Sequence, residues 1–229
     1  MHVAAGTLQE LRLDPNGQMQ ASIACPAALI PQPGQYVMAL AVADADSSLA
    51  QPLFPQAVTQ AGFLAAAPLP VTWQPGAKLM LRGPLGHGFH LPPLTRRLAL
   101  AACGLPLACL LPLLDWAQHN STEAAIFTDF VLPPLPSFVE ISPLSDLPSA
   151  LLWADFLALE IPLARLADLP HFLDLQPGQL PACSGQVLVR ADMPCGALAD
   201  CGVCALPHGR RWQLVCKDGP VFALEHILA

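Results

Sequence analysis

Four cysteines near the C-terminal end constrain this chain more than any other feature. Cys195, Cys201, Cys204 and Cys216 lie in the run MPCGALADCGVCALPHGRRWQLVC, with the spacing C-x5-C-x2-C-x11-C. Thiolates that share one inorganic centre must converge, so the chain around them has to double back on itself. Two-iron clusters of the plant type use C-x4-C-x2-C…C, and this run differs by one inserted residue. Gly196, Ala197, Ala199 and Gly202 fill the loops with small side chains, which lets backbone N–H groups reach the sulfurs and tune a reduction potential. Two other chemistries compete. A structural zinc site usually draws two close ligand pairs, and here Cys201-x2-Cys204 is the tight pair, with His208 as a spare ligand. A disulfide framework suits small secreted chains. The spacing favours a [2Fe–2S] cluster on Cys195, Cys201, Cys204 and Cys216.

The rest of the composition narrows the setting. A length of 229 residues fits one large domain or two small ones. Hydrophobic residues make up 54% and charged residues 12%; so little charged surface implies a face buried against a partner subunit. A net charge of -7 argues against nucleic acid, which needs a basic footprint. Met1 to Leu13 carries Glu10 and Arg12 where a secretory signal would be apolar, so the expected location is the cytoplasm. Leu98 to Leu114 is 17 residues without a charge. A membrane span needs about 20, and Gly104, Pro106 and Pro112 interrupt this one. A buried strand, turn and helix is the better reading, and no membrane span is expected.

The pattern along the chain changes near residue 92. Before it, Asp14-Pro15-Asn16-Gly17 is a strong turn signal between Leu11, Leu13 and the alternating Met19 to Cys25. Further strands are expected at Gln35 to Val42, Pro52 to Val58, Phe63 to Ala67 and Lys78 to Arg82, with a loop at Asp44 to Ser48. Short strands between frequent turns point to a small antiparallel β-barrel over residues 1–92. After it, Leu98 to Ala102, Leu105 to Gln118 and Glu123 to Phe127 read as strand, helix and strand. That is the core of an α/β nucleotide-binding-like domain, abridged and spanning residues 93–185. A helix is expected at Leu151 to Glu160, stopped by Pro162. Residues 186–229 form a third, cluster-binding domain. The fold class is therefore α+β and multi-domain.

Two longer motifs carry a resemblance. Met193, Cys195 and Gly196 open the cysteine run, and Val215-Cys216-Lys217-Asp218-Gly219-Pro220-Val221-Phe222 closes it. Gly83-Pro84-Leu85-Gly86-His87-Gly88-Phe89 joins the barrel to the α/β part. With this order of parts, the chain resembles the electron-transfer subunit of dihydroorotate dehydrogenase. The resemblance implies a ferredoxin-reductase-like body with a two-iron cluster appended, the four cysteines as its ligands and FAD in the barrel. It also implies electron relay between a nicotinamide nucleotide and a partner oxidoreductase subunit of the dihydroorotate dehydrogenase type, in pyrimidine biosynthesis and in a hetero-oligomer.

The chain departs from the family at the other cofactor motifs. Gln51-Pro52-Leu53-Phe54 stands where the family has Arg-Pro-hydrophobic-Ser, so a charged donor and a hydroxyl are missing. Ala102-Cys103-Gly104-Leu105-Pro106-Leu107 keeps one glycine of the family's glycine run, and Pro106 has no N–H for a pyrophosphate. FAD remains a candidate cofactor, and NAD is not expected. The alternative function is a non-catalytic assembly or regulatory subunit whose flavin and nicotinamide sites have degenerated. Cys25, Cys103, Cys109 and Cys183 lack ligand spacing and read as small buried hydrophobes. His87 and His90 read as polar loop positions. His208, Arg210 and Arg211 fall at a hairpin tip, Trp73, Trp116, Trp153 and Trp212 read as packing residues, and no residue reads as catalytic.

Overall fold

The Asp14–Gly17 turn shows how local chemistry starts the fold. Asp14 Oδ1 accepts the N–H groups of Asn16 at 2.8 Å and Gln18 at 2.7 Å, and Gly17 takes the left-handed φ of +75° that such turns favour. In the computed structural model, which describes residues 1–42, 49–176, 178–208 and 211–228, this turn joins β1 (His2–Leu13) to β2 (Met19–Ala24). There follow β3 (Tyr36–Ala41), β4 (Gln51–Leu53), β5 (Pro55–Thr59), β6 (Gly62–Ala65) and β7 (Lys78–Leu85). All pair antiparallel in the order β4-β3-β7-β1-β2-β6-β5. Strands β4 and β5 are the two edges of this sheet, yet only Phe54 separates them in sequence. The sheet must therefore curl until its edges meet, and that closure makes the half-barrel. Leu8, Ile23, Val37, Phe63, Leu79 and Leu81 fill its interior with no exposed surface. The expected Asp44–Ser48 loop lies outside the described residues.

The second sheet is mixed. Strands β8 (Arg97–Ala102), β9 (Glu123–Phe127), β10 (Val139–Ser142), β11 (Phe156–Pro162) and β12 (Ser184–Arg190) run parallel. After a hairpin of β13 (Ala205–His208) and β14 (Arg211–Leu214), β15 (Val221–Ala223) adds antiparallel to β12. The order is β10-β9-β8-β11-β12-β15, so the stretch after the cysteines completes the edge of the α/β sheet. The helices on its faces are short: α1 (Leu113–His119), α2 (Leu147–Ala150) and α3 (Leu169–Phe172), followed in the tail by α4 (Val215–Asp218) and α5 (Leu224–Leu228). None among the described residues is long and apolar enough to cross a membrane.

Two expectations need correcting. The helix expected from Leu105 begins only at Leu113, with Pro112 as its N-cap. Upstream, the Cys109 N–H goes to a side chain, Glu160 Oε2, at 3.2 Å. The second half of the helix expected over Leu151–Glu160 is strand β11, which begins at Phe156. Phe156 to Ile161 is buried on both faces between β8 and β12, and a central parallel strand reads as a continuous apolar run with no period to identify it.

One apolar core joins the parts. Tyr36 and Phe54 of the half-barrel, Leu157 and Val187 of the α/β sheet, and Cys204, Cys216 and Val221 of the tail belong to the same buried cluster.

Candidate metal centre and the adjoining cleft

The cysteine loop takes an unusual backbone path. Gly196, Ala197 and Ala199 all lie in the left-handed region, with φ of 64°, 61° and 64°. Two alanines there cost about 1–2 kcal/mol each, so the loop stores strain that something must offset. The path turns a series of N–H groups inward. The N–H groups of Asp200, Leu198 and Cys201 favour the thiolate of Cys195, and that of Ala199 favours the thiolate of Cys216. Such donors stabilise thiolate, the form that binds metal.

The four thiols lie close enough to perturb one another. Cys201 lowers the pKa of Cys195, and Cys204 and Cys195 raise that of Cys216. The sulfurs of Cys195 and Cys201 and a carboxylate oxygen of Asp200 lie within 4.8 Å of one another. Cys201 is exposed and Cys195 half-buried, whereas Cys204 and Cys216 are buried. Burial pushes Cys195 up, but the N–H groups of Asp200, Leu198 and Cys201 and the Cys201 thiol bring it down to about 7. Cys216 is pushed up to about 12 by burial and by its neighbours Cys204 and Cys195. A donor set that is half shielded and half open, ringed by N–H groups, fits a sulfur-ligated inorganic centre. Neither Arg210 nor the side chain of His208 is among the described residues, though the hairpin expected around them is present.

Residues far away in sequence hold this loop. Tyr36, fully buried on β3, donates its hydroxyl to the Cys216 carbonyl at 3.0 Å. Arg82 on β7 donates to the Gly196 carbonyl. The two family-like motifs also touch. The His87 N–H donates to the Gly219 carbonyl at 2.7 Å, and His87 Nδ1 meets the Asp218 carbonyl at 3.2 Å. Gly86, at φ +77°, lies directly against Pro220. His87 therefore helps anchor the cysteine segment. Sequence reasoning missed Tyr36 and Arg82; the signal for the first was that the chain has one tyrosine.

Beside the cysteine loop lies a cleft of about 820 Å³ between the half-barrel and the α/β sheet. Gln51 and Pro52 line one wall, and Leu105 and Pro106 line the other. The two stretches that depart from the family's cofactor motifs thus face one space. Arg190, at the end of β12, lines the cleft. It pairs with the fully buried Glu160 at 2.9 Å and donates to Cys109 Sγ at 2.7 Å and to the Ala67 carbonyl at 2.9 Å. Its guanidinium stacks on Phe54, 4.3 Å from the ring centroid. Cys109 is buried as expected, but it also accepts a hydrogen bond from a charged group. Neither Arg190 nor Glu160 was anticipated from sequence, although Glu160 is a charge inside an apolar run.

Residues 191–228, which contain all four cysteines, match the family model for the iron–sulfur cluster binding domain of dihydroorotate dehydrogenase B. Against solved structures, a chain of an NADH-dependent reduced ferredoxin-NADP oxidoreductase superposes with a TM-score of 0.73 at 16% identity, covering 97% of this chain and 89% of that one. The chain has the ferredoxin-reductase fold. A ferredoxin reductase in carbazole 1,9a-dioxygenase shares this fold at a TM-score of 0.57 and 14% identity, over 75% of this chain and 64% of that one. The flavohem-like FAD/NAD binding domain of nitric oxide dioxygenase from Vibrio cholerae O1 biovar El Tor does so at 0.54 and 12%, over 81% and 98%. No curated protein sequence matches the chain. This ferredoxin-reductase-like chain therefore ends in an iron–sulfur cluster binding domain, and resembles the dihydroorotate dehydrogenase electron-transfer subunit in fold and tail.

Proposed function

We propose that this chain is an electron-transfer subunit carrying a [2Fe–2S] cluster on Cys195, Cys201, Cys204 and Cys216, and that it relays electrons to or from a partner oxidoreductase. The observation that carries the reading is the match of residues 191–228, with all four cysteines, to a cluster-binding domain, supported by the sulfurs of Cys195 and Cys201 lying within 4.8 Å of each other. When bound, the cluster supplies one-electron chemistry at a potential set by its sulfur hydrogen bonds and exposure. The protein's own contribution is to hold the thiols. Tyr36 and Arg82 fix the loop carbonyls, Cys204 and Cys216 sit in the core, and Cys201 faces solvent beside the exposed Leu198 and Val203. That open side suits a partner of the dihydroorotate dehydrogenase type, in the cytoplasm and in a hetero-oligomer.

The test is anoxic purification followed by metal and sulfide analysis. About two irons and two sulfides per chain, with a reduced-state magnetic signal, are expected. A colourless protein holding one zinc overturns the reading. The second reading, a non-catalytic assembly or regulatory subunit, draws on the replacement of Arg-Pro-hydrophobic-Ser by Gln51-Pro52-Leu53-Phe54. A bound cluster that no co-purifying partner reduces or oxidises would favour it.

A further inference from the structure

We propose that the cleft between the half-barrel and the α/β sheet takes an uncharged ring compound, and that its own side chains exclude phosphate-bearing flavins and dinucleotides. The proposal stands apart from which metal the cysteines hold. Its size comes first. About 820 Å³ is within the roughly 300–1,000 Å³ of pockets that enclose compact organic ligands. Pro52, Pro106, Leu163 and Met193 give the walls an apolar character. Four glutamines, Gln18, Gln20, Gln51 and Gln56, add polarity without charge. Gln20 Nε2 donates to Gln56 Oε1 at 2.6 Å, and Gln20 Oε1 accepts from Arg12 at 3.3 Å, so Gln20 is committed at both ends. Gln56 lines the cleft with its Oε1 taken by Gln20, which leaves its amide NH2 as a donor for a ring carbonyl.

Charge decides against phosphate. Among the described lining residues Arg190 is the cation, and Asp14 and Asp192 are carboxylates. The Arg190 charge is spent on Glu160 at 2.9 Å, with Glu160 wholly inaccessible to solvent, and its stacking face is covered by Phe54. A diphosphate in this cleft would meet two carboxylates and no cation free to pair with it. A helix N-terminus gives no help either, because α1 begins only at Leu113. The remaining glycine turn is covered as well. Gly104 keeps the left-handed φ of +81°, yet the Arg165 guanidinium lies against the space a side chain would occupy there. Arg165 is in turn held by Asp168 at 3.0 Å and by the Phe172 ring at 4.9 Å. Arg165, which does not line the cleft, covers the Gly104 turn, and Arg190, which does line it, is paired with the buried Glu160. The residues present do not fit FAD or a nicotinamide dinucleotide.

The experiment titrates the full-length protein with riboflavin, FMN and FAD at low ionic strength, following quenching of flavin fluorescence. Riboflavin is expected to bind roughly tenfold or more tightly than either phosphate-bearing form, a gap of about 1.4 kcal/mol or more. Glu160→Gln should reverse the preference toward FMN by leaving the Arg190 charge unopposed. Should that variant fail to fold, Asp192→Asn at the rim should shift it in the same direction by a few-fold. FAD or FMN binding as tightly as riboflavin, FAD released stoichiometrically from the purified protein, or no binding of riboflavin would each overturn the proposal. Iron and sulfide content, measured on the same samples, reports separately on the cysteine site.

Discussion

Individual residues divide into those whose role is written in the spacing and those whose role depends on what folds over them. The four C-terminal cysteines are of the first kind. Their spacing carries the expectation that they share one centre, and the sulfurs of Cys195 and Cys201 lie within 4.8 Å of each other. Tyr36 and Glu160 are of the second kind, since each meets its partner across a long stretch of chain. Cys103 illustrates a middle case. Sequence reads it correctly as a buried hydrophobe, and burial has a consequence that spacing cannot show. The fully buried thiol is pushed from 9.0 up to about 12 by desolvation, partly offset by Arg165. Above pH 9 the unfolded chain loses this proton while the folded chain keeps it, so stability falls as pH rises toward 12. The contribution is up to about 4 kcal/mol over that range. Denaturant unfolding of wild type and Cys103→Ala at pH 7, 9 and 10.5 checks it. The variant should show a shallower alkaline decline, and parallel curves would sink the assignment.

At the scale of elements, strands between turns were legible and helices were not. The half-barrel strands carry alternating patterns and strong turn residues, and they appear close to where those signals put them. The α/β part lacks such signals because both faces of its central strands are covered, which turned β11 into an apparent helix. Prolines at 106 and 112 shortened α1 for a local reason that the apolar pattern hides. The connector motif is different again, because its Gly86 meets two demands where the turn glycine Gly17 meets one. Gly86 needs its positive φ and also the space that Pro220 fills, whereas Gly17 has a similar φ of +75° with nothing near it. Gly17→Ala should therefore cost only the backbone strain, about 1–2 kcal/mol. Gly86→Ala adds displacement of the Gly219–Pro220 segment and should exceed it by ~1 kcal/mol or more. Urea midpoints of the two variants decide this, and equal losses would mean that the connector does not press on the cysteine segment.

The whole molecule is held together across its seam by a small set of polar links. The Asp14–Gly17 turn reaches across through Asn16, whose side chain exchanges two hydrogen bonds with the Val131 backbone at 2.8 and 3.0 Å. Tyr36 ties β3 to the Cys216 carbonyl. Arg190 makes a further link, joining Glu160 of the α/β sheet to the Ala67 carbonyl and the Phe54 ring of the half-barrel. A buried ion pair adds little net stability when both charges are present, because each was desolvated to form it. Removing one partner is costly, since the other charge remains stranded. Arg190→Ala should accordingly destabilise the protein by about 3–5 kcal/mol, whereas the double change Arg190→Met with Glu160→Leu should recover most of that loss. Thermal unfolding followed by circular dichroism measures both. If the double variant is no more stable than Arg190→Ala, the seam depends on hydrogen bonds to Ala67 and Cys109 that methionine cannot make, and charge balance is not what Glu160 supplies there.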